Sequence, residues 1–225
     1  MAKLTWDNTG ERFYETGVKN VALYVFDNTS SAKKYKDGVA WNGVTAISES
    51  PSGAEPTALY ADDKKYLNLL SAEEFAASIE AYTYPDEFAE CDGSASLVAG
   101  VTVGQQTRSK FALAYKTTIG NDEAGNSLGY KLHIIYNCLA APSEKAYNTI
   151  NDSPEAITFS WEISTTPVTF TAEDKEYSTA CITIDSRKVD KTKLETLETK
   201  LFGGTEPDSK PTLVLPDEIY TTLKQ

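Results

Sequence analysis

The sequence predicts a mainly β protein, built as a sandwich or as a fragment of a barrel. Apolar and polar residues alternate with a period of two in several short runs, and the clearest run extends from Ile157 to Ser164. Clusters of Gly, Asn and Asp separate the runs, notably between Gly120 and Asn126. Helical periodicity is rare. About seven short strands divided by such turns are typical of a sandwich or barrel rather than of alternating strands and helices.

The predicted strands follow one another along the chain. They cover the runs 21–26, 39–47, 75–82, 110–116, 130–137, 157–164 and 178–184. In the first run, Val21, Leu23 and Val25 alternate with residues that are themselves apolar or aromatic, which predicts a strand covered on both faces.

Three short helical segments are predicted. Pro85 precedes two acidic residues and begins a segment that ends before Gly93. Asp190 is placed to cap a helix whose leucines recur at helical spacing, at 194, 197 and 201, before two glycines end it. Pro216 begins one more turn. We therefore expect one β domain over residues 1–200 and a C-terminal extension over 201–225.

Two segments do not match a self-contained β domain. The N-terminal arm, residues 1–17, carries Trp6, Phe13 and Tyr14 ahead of any regular pattern. Residues 48–72 begin as a loop and continue as a hairpin around Asp62 and Asp63. So long a connection is usually functional or disordered, and its Tyr and Leu content disfavours disorder. It either folds back on its own domain or contacts a partner.

Charge and cysteine content limit the function classes. The chain has 21 basic and 33 acidic residues and a formal net charge of -12. Because binding to nucleic acid grooves needs clustered cations, nucleic-acid recognition is not expected. No signal peptide or membrane span is predicted, and three widely spaced cysteines suit synthesis in a reducing cytoplasm.

The residues predict no catalytic centre, metal site or cofactor. His133 is the single histidine, and it lies in the middle of a predicted strand. The cysteines lack the spacing of metal ligands. Glu80 and Glu162 could be paired as glycosidase carboxylates, but with 33 acidic residues such a pairing has little specificity. A non-enzymatic protein is expected.

An ordered set of short strings resembles one family. The strings are Gly38–Gly43, Ser50–Glu55, Leu59–Tyr66, Ile79–Phe88, Cys91–Gly93, Gly104–Arg108, Ile119–Asp122, Gly129–His133, Asn151–Pro154, Phe159–Trp161 and Thr165–Val168. Together they resemble the major tail protein, or tail tube protein, of long-tailed phages and prophages of Gram-positive bacteria. The resemblance is strong from Trp6 to Val168 and looser beyond.

The resemblance implies two packed antiparallel β-sheets with a flanking short helix, a long inter-strand loop and an extended N-terminal arm. It implies hexameric rings that stack into the hollow tail tube of a virion, assembled in the host cytoplasm. Expected partners are copies of the chain, a tape measure protein in the tube, terminator and distal tail proteins at its ends, and genomic DNA in transit.

The resemblance also suggests roles for particular residues. The segment 48–72 matches a loop that contacts the adjacent ring, and its expected contact residues are Pro51, Gly53, Glu55, Leu59, Tyr60, Asp62, Asp63, Lys64, Lys65 and Tyr66. Trp6, Phe13 and Tyr14 are expected to make arm contacts. Glu80 and Glu162 are candidates for the tube lumen, a prediction that Lys110, Lys116 and Lys131 would oppose if they dominated its wall.

Other functions stay open at this point. A distal tail protein, a tail terminator or the tube of a phage-like bacteriocin would share many of these features. A secreted carbohydrate-binding sandwich and a β-sandwich hydrolase belong to other classes. The absence of a predicted signal peptide and the odd number of cysteines disfavour the secreted module.

Overall fold

The protein is described by a computed structural model that covers residues 3–29, 34–150, 152, 155–206 and 209–224. Parts of the predicted arm, of the C-terminal extension and of the string Asn151–Pro154 therefore lie outside the described residues. The predicted class is confirmed, since the fold is mainly β with antiparallel pairing and a few short helices.

The bounds of the elements follow in chain order. The strands are β1 (Phe13–Val25), β2 (Val39–Ala40), β3 (Val44–Glu49), β4 (Ser52–Gly53), β5 (Pro56–Ala61), β6 (Lys64–Leu70), β7 (Glu73–Glu74), β8 (Ala76–Ala81), β9 (Ala95–Val98), β10 (Val101–Val103), β11 (Phe111–Asn121), β12 (Gly125–Ala140), β13 (Phe159–Thr165), β14 (Val168–Ala172), β15 (Lys175–Thr179) and β16 (Cys181–Asp185). A 3₁₀ helix spans Asp86–Glu90, and the α-helices are α1 (Lys191–Phe202) and α2 (Pro216–Lys224).

Eight strands form one antiparallel sheet that folds over itself. Seven of them follow the order β2-β1-β11-β12-β13-β8-β3, and β16 pairs with β12 beside that path. β12 joins the two halves: β16 pairs with it over Lys131–Ile135, and β13 pairs with it over Cys138–Ala140. The sheet therefore makes two layers, one around β1, β11, β12 and β16 and the other made of β13, β8 and β3.

The corner between the layers lies at Asn137. Its φ of 48 reverses the alternation of β12, so Cys138 and Ala140 continue on the side of Ile135. The Asn137 side chain accepts a hydrogen bond from the Tyr35 hydroxyl at 2.9 Å and donates one to the Thr166 carbonyl at 3.1 Å. These bonds hold a conformation that Asn adopts more readily than most residues.

A first core fills the space between the layers. It contains Leu23 and Leu113 from the first layer, and Ile79 and Trp161 from the second, all with no exposed surface. Phe88 of the 3₁₀ helix closes one end of this core and packs against Trp161, with 5.1 Å between ring centroids. The helix predicted to flank the sheets thus contributes a fully buried side chain.

A second core lies on the opposite face of the first layer, under the helices. Leu194, Leu197 and Leu201 of α1 are buried there, as the predicted spacing requires, and the Asp190 side chain accepts a hydrogen bond from the Lys193 amide. Leu213, Val214 and Ile219 complete the core. The described part of the predicted C-terminal extension is therefore packed into the domain.

Two further boundaries differ from those predicted. β1 already begins at Phe13, so Phe13 and Tyr14 belong to a strand that pairs with β11, and the described arm is residues 3–12. The predicted run 39–47 is divided by a turn at Asn42 and Gly43, because Gly43 has a φ of 78. Within the described chain, no helix has the length and apolarity needed to cross a bilayer.

Candidate functional site

β3 to β8 form one long two-stranded ribbon. Ser48 pairs with Ser78 in the sheet, Gly53 pairs with Glu73 beyond it, and Leu59 pairs with Leu67 near the tip. From the Ala46–Glu80 pair to the Leu59–Leu67 pair, each step forward on one strand is matched by one step back on the other. The predicted hairpin around Asp62 and Asp63 is therefore the outer end of an extended β3–β8 hairpin.

The first strand of the ribbon is interrupted after Gly53, between β4 and β5. Gly53 has a φ of 82 and Ala54 a φ of 53, both in the left-handed region. A Cβ on Gly53 would collide with the carbonyl oxygen of Ala72 on the opposite strand. Glycine is required here because it tolerates both the positive φ and the close approach.

The ribbon tip is a tight turn with charges of both signs. Asp62 and Asp63 both have positive φ, the combination that a two-residue type I′ hairpin turn needs. Lys64 and Lys65 follow, and Tyr66 is the additional residue of a bulge, because Tyr60 pairs with Lys65 while Leu59 pairs with Leu67.

The hairpin β5–β6 does not fold back on its own domain. Every residue of β6 is exposed, as are five of the six residues of β5. Cross-strand partners share a face, which assigns Thr57, Leu59, Leu67 and Leu69 to one side. We call this side the leucine face. The opposite side, the tyrosine face, carries Pro56, Ala58, Tyr60, Asn68 and Leu70.

The ribbon base is tied to the first layer through Glu49, the last residue of β3. Glu49 accepts a hydrogen bond from the Tyr115 hydroxyl at 2.7 Å, and its carboxylate lies 3.6 Å from Nδ1 of His133. The His133 ring stacks on Tyr115, with 4.7 Å between centroids. Its ring nitrogens lie 3.0 Å from the hydroxyl of Thr117 and 3.3 Å from that of Thr183.

Burial dominates the electrostatics of this cluster. It lowers the pKa of His133 below the ordinary 6.5, and the nearby charges of Glu49 and Glu15 counter part of that shift. Burial and the hydrogen bond to Glu49 both raise the pKa of Tyr115. A pKa below 6.5 leaves the His133 ring mainly neutral at pH 7, stacked on Tyr115 and close to two threonine hydroxyls.

The second layer presents an open face on the side away from its core. We define the open face by three rows of aligned residues: Ser48, Ser78 and Glu162; Ala46, Glu80 and Ser160; and Ala76, Ser164 and Leu139. Glu80 and Glu162, the two candidates for the tube lumen, lie on this same exposed face and are separated by serines. None of the nine residues is basic.

The lysines that could oppose an acidic wall lie elsewhere. Lys116 pairs with Glu198 of α1 at 2.8 Å, on the helix side of the first layer. Lys131 forms an ion pair with Glu15 of β1. Lys110 precedes β11, where its carbonyl accepts the Phe26 amide. The open face therefore presents the carboxylates of Glu80 and Glu162 with no lysine among its nine defining residues.

The N-terminal arm is held against the β11–β12 turn. The Asp122 carboxylate accepts hydrogen bonds from the amides of Gly10 at 3.1 Å and Arg12 at 3.4 Å, and the first of these lowers the pKa of Asp122. The hydroxyl of Tyr14 donates to Asn126 at 2.9 Å. Trp6 remains 75% exposed, so the arm leaves a large apolar side chain in solvent.

Two features were missed at the sequence level. The small residues of the open face were not predicted to share a surface with Glu80 and Glu162, although their alternation with Ile79 and Trp161 is present in the sequence. The buried Asp92 was missed because its partners are distant in sequence: it accepts hydrogen bonds from Trp161 at 3.0 Å and Lys145 at 2.6 Å. Since these partners satisfy the carboxylate, Asp92 serves to hold the β12–β13 connection.

No protein-family model matches this chain, and no curated protein matches it.

Proposed function

We propose that this chain is the structural subunit of a hollow tube of the phage tail type, in which copies form rings and the rings stack. The observation that carries the proposal is the geometry of the ribbon: it continues the strands of the open face in register and projects beyond them. A subunit whose open face lines a ring would thereby extend a contact along the tube axis. The ordered strings that resemble tail tube proteins support the same function.

The unpaired sheet edge supports ring formation. In the described chain, β3 pairs with β8 alone, so its other edge has free backbone donors and acceptors. Such an edge is prone to pair with another chain unless it is protected. If the strands of neighbouring subunits pair around a closed ring, no subunit keeps an unpaired β3 edge, as in a closed barrel.

The character of the open face supports passage of DNA. Small side chains make a smooth wall, and Glu80 and Glu162 repeat around a ring as fixed negative charges. Phosphates would find no cation to bind there, and like charges keep a polyanion from adhering. The helices α1 and α2 lie beyond the first layer, on the side remote from the open face, and would form the outer surface.

In this proposal the tube belongs to a virion tail and is assembled in the host cytoplasm. Its partners are other copies of the chain, a tape measure protein inside the tube, and terminator and distal tail proteins at its ends. DNA passes through without sequence recognition. The chain has no catalytic role and no cofactor.

Negative-stain electron microscopy of the purified chain over a concentration series tests the proposal. Hollow tubes or stacked rings are the expected result. Single rings that never stack would instead favour a terminator or distal tail protein. Monomers at every concentration would contradict self-assembly, and a glycan array would then test the carbohydrate-binding alternative.

A further inference from the structure

Both faces of the hairpin β5–β6 expose large apolar side chains. On the leucine face, Leu59 is 44% exposed and Leu69 is 59% exposed. On the tyrosine face, Tyr60 is 72% exposed and Leu70 is 68% exposed. A two-stranded ribbon is marginally stable in water when nothing covers it. The hairpin therefore lacks a partner on each of its two sides.

A partner on one side cannot cover the other, because the ribbon is only one layer thick. A hairpin lying flat on a single neighbour would bury either the leucine face or the tyrosine face and leave the remaining face in solvent. Contiguous apolar surface of this kind marks an interaction site. Two separate surfaces are thus needed, one for each face.

The charge of the hairpin favours copies of the same chain as the occupant. Asp62 and Asp63 balance Lys64 and Lys65, and residues 56–70 contain no other charged side chain. The chain as a whole carries a formal charge of -12, so most of its surface repels another copy. The neutral hairpin can approach an acidic copy without this repulsion, and its two lysines form no ion pair within the described structure.

The length of the ribbon brings the hairpin beyond its own sheet. Glu49 is the last residue of β3 and Ala61 the last of β5. At about 3.3 Å per residue, an extended strand between them spans up to about 40 Å, roughly twice the length of a typical strand in a sheet. The tip can therefore reach between neighbouring subunits of the next ring.

We propose that each hairpin is clamped between two copies of this chain, with the leucine face on one copy and the tyrosine face on the other. This inference rests on the proposed function, since it presupposes rings that stack. It goes further in specifying that one hairpin joins two neighbours. Each ring-to-ring contact then also fixes the spacing of two adjacent subunits.

Paired substitutions on the two faces test the clamp. The leucine-face variant is Leu59→Ser with Leu69→Ser, and the tyrosine-face variant is Tyr60→Ser with Leu70→Ser. Because all four side chains are exposed in the subunit, circular dichroism and thermal unfolding should match wild type. Each variant alone should lower the assembled fraction, measured by sedimentation and electron microscopy, by about tenfold or more, because it removes two large apolar side chains from the contact.

Conservative replacements provide the matched controls. Leu59→Met with Leu69→Met, and Tyr60→Phe with Leu70→Met, keep the apolar surface and should assemble like wild type. A loss of assembly in one face variant only would overturn the clamp while leaving the proposed function intact. Normal assembly of both variants would exclude the hairpin from the contact. A wild-type chain that stays monomeric would contradict the proposed function and the clamp together.

Crosslinking provides an independent measurement on assembled protein. A photoreactive amino acid is introduced at position 59 in one sample and at position 60 in another, since these neighbours point to opposite faces. The clamp predicts two different sets of crosslinked peptides, both from this same chain. One shared set, or peptides from another protein, would overturn it.

Discussion

Glu49 and Tyr115 connect the ribbon to the body of the protein through a hydrogen bond of 2.7 Å. Glu49 is the last residue of β3, and Tyr115 lies in the middle of β11, so the bond joins the two layers where the ribbon leaves the sheet. Tyr115 is buried, so loss of the hydrogen bond to Glu49 would leave its hydroxyl unpaired and lower the stability of the fold.

The substitution Tyr115→Phe should lower the free energy of unfolding by about 1 kcal/mol, because it removes this hydrogen bond and keeps the ring stacked on His133. Urea denaturation measures the change. Tyr82→Phe is the control, since Tyr82 is 55% exposed and should leave stability unchanged. Equal effects of the two substitutions would argue against a specific role of the Glu49 bond.

His133 should make stability depend on pH in a defined direction. Burial lowers its pKa in the folded chain, so the unfolded chain binds the proton more readily. The stabilising effect of a neutral His133 is complete above pH 6.5 and is lost as pH falls from there toward the folded pKa. His133→Gln should reduce the slope of unfolding free energy against pH between pH 7 and 5.

Nuclear magnetic resonance can follow this titration directly, because the chain has one histidine. The His133 midpoint should lie below 6.5 in the folded protein. Glu49→Gln should lower the midpoint further, since it removes the nearest negative charge. A midpoint at or above 6.5 would contradict the burial described for this ring.

The backbone conformation of the ribbon between β4 and β5 should depend on Gly53. Gly53→Ala adds a Cβ against the Ala72 carbonyl and forces a positive φ on alanine, so the ribbon should fray there at a cost of about 1 to 3 kcal/mol. Limited proteolysis should then cut residues 50–75 faster. Gly104→Ala is the matched control, because no atom lies within 4 Å of its added Cβ.

Charge reversal on the open face should cause the assembled protein to bind DNA. Glu80→Lys with Glu162→Lys should leave the subunit folded, because both side chains are exposed, and should cause tubes to retain short DNA at low salt. Fluorescence anisotropy of labelled DNA provides the measurement. Glu176→Lys on β15 lies off the open face and should retain none. Equal retention by both proteins would argue against an open face that lines the tube.

Deletion of residues 56–68 should separate folding from elongation. The segment is exposed and contributes nothing to either core, so the subunit should unfold as cooperatively as wild type. Without the hairpin, rings should not stack. Tubes of normal length after the deletion would refute the contact between rings.

The local patterns of this sequence were predictable where they depended on neighbouring residues. The turn at Asp62 and Asp63, the cap at Asp190 and the leucines of α1 each follow from residues a few positions apart. The reversal at Asn137 was not predictable, because it depends on the Tyr35 hydroxyl and the Thr166 carbonyl, which are distant in sequence. The burial of Val214 likewise depends on tertiary packing, including the Tyr136 hydroxyl that bonds its carbonyl.

The candidate site also combines features set by neighbouring residues with features set by residues distant in sequence. The aromatic and charged residues of the hairpin were visible as an unusual segment, and Glu80 and Glu162 as alternating acids. Their common face could not be derived from the chain alone, because it depends on the pairing of β8 with β13, which sets Glu80 opposite Ser160, 80 positions later. The two faces of the hairpin likewise became distinct only with the register that sets Leu59 opposite Leu67.

The second core has a consequence for biosynthesis. Tyr24 of β1 donates its hydroxyl hydrogen bond to the carbonyl of Leu201, 177 positions later. At about 5 to 20 residues per second, a ribosome needs roughly 10 to 35 s to make the intervening chain. For that interval the helix-facing side of β1 is uncovered, and the same side of β11 is uncovered from the time β11 is made, when the hairpin is already complete. Neighbouring nascent chains on one messenger RNA can therefore associate prematurely through this uncovered surface. A chaperone bound to the surface until α1 emerges would prevent that association.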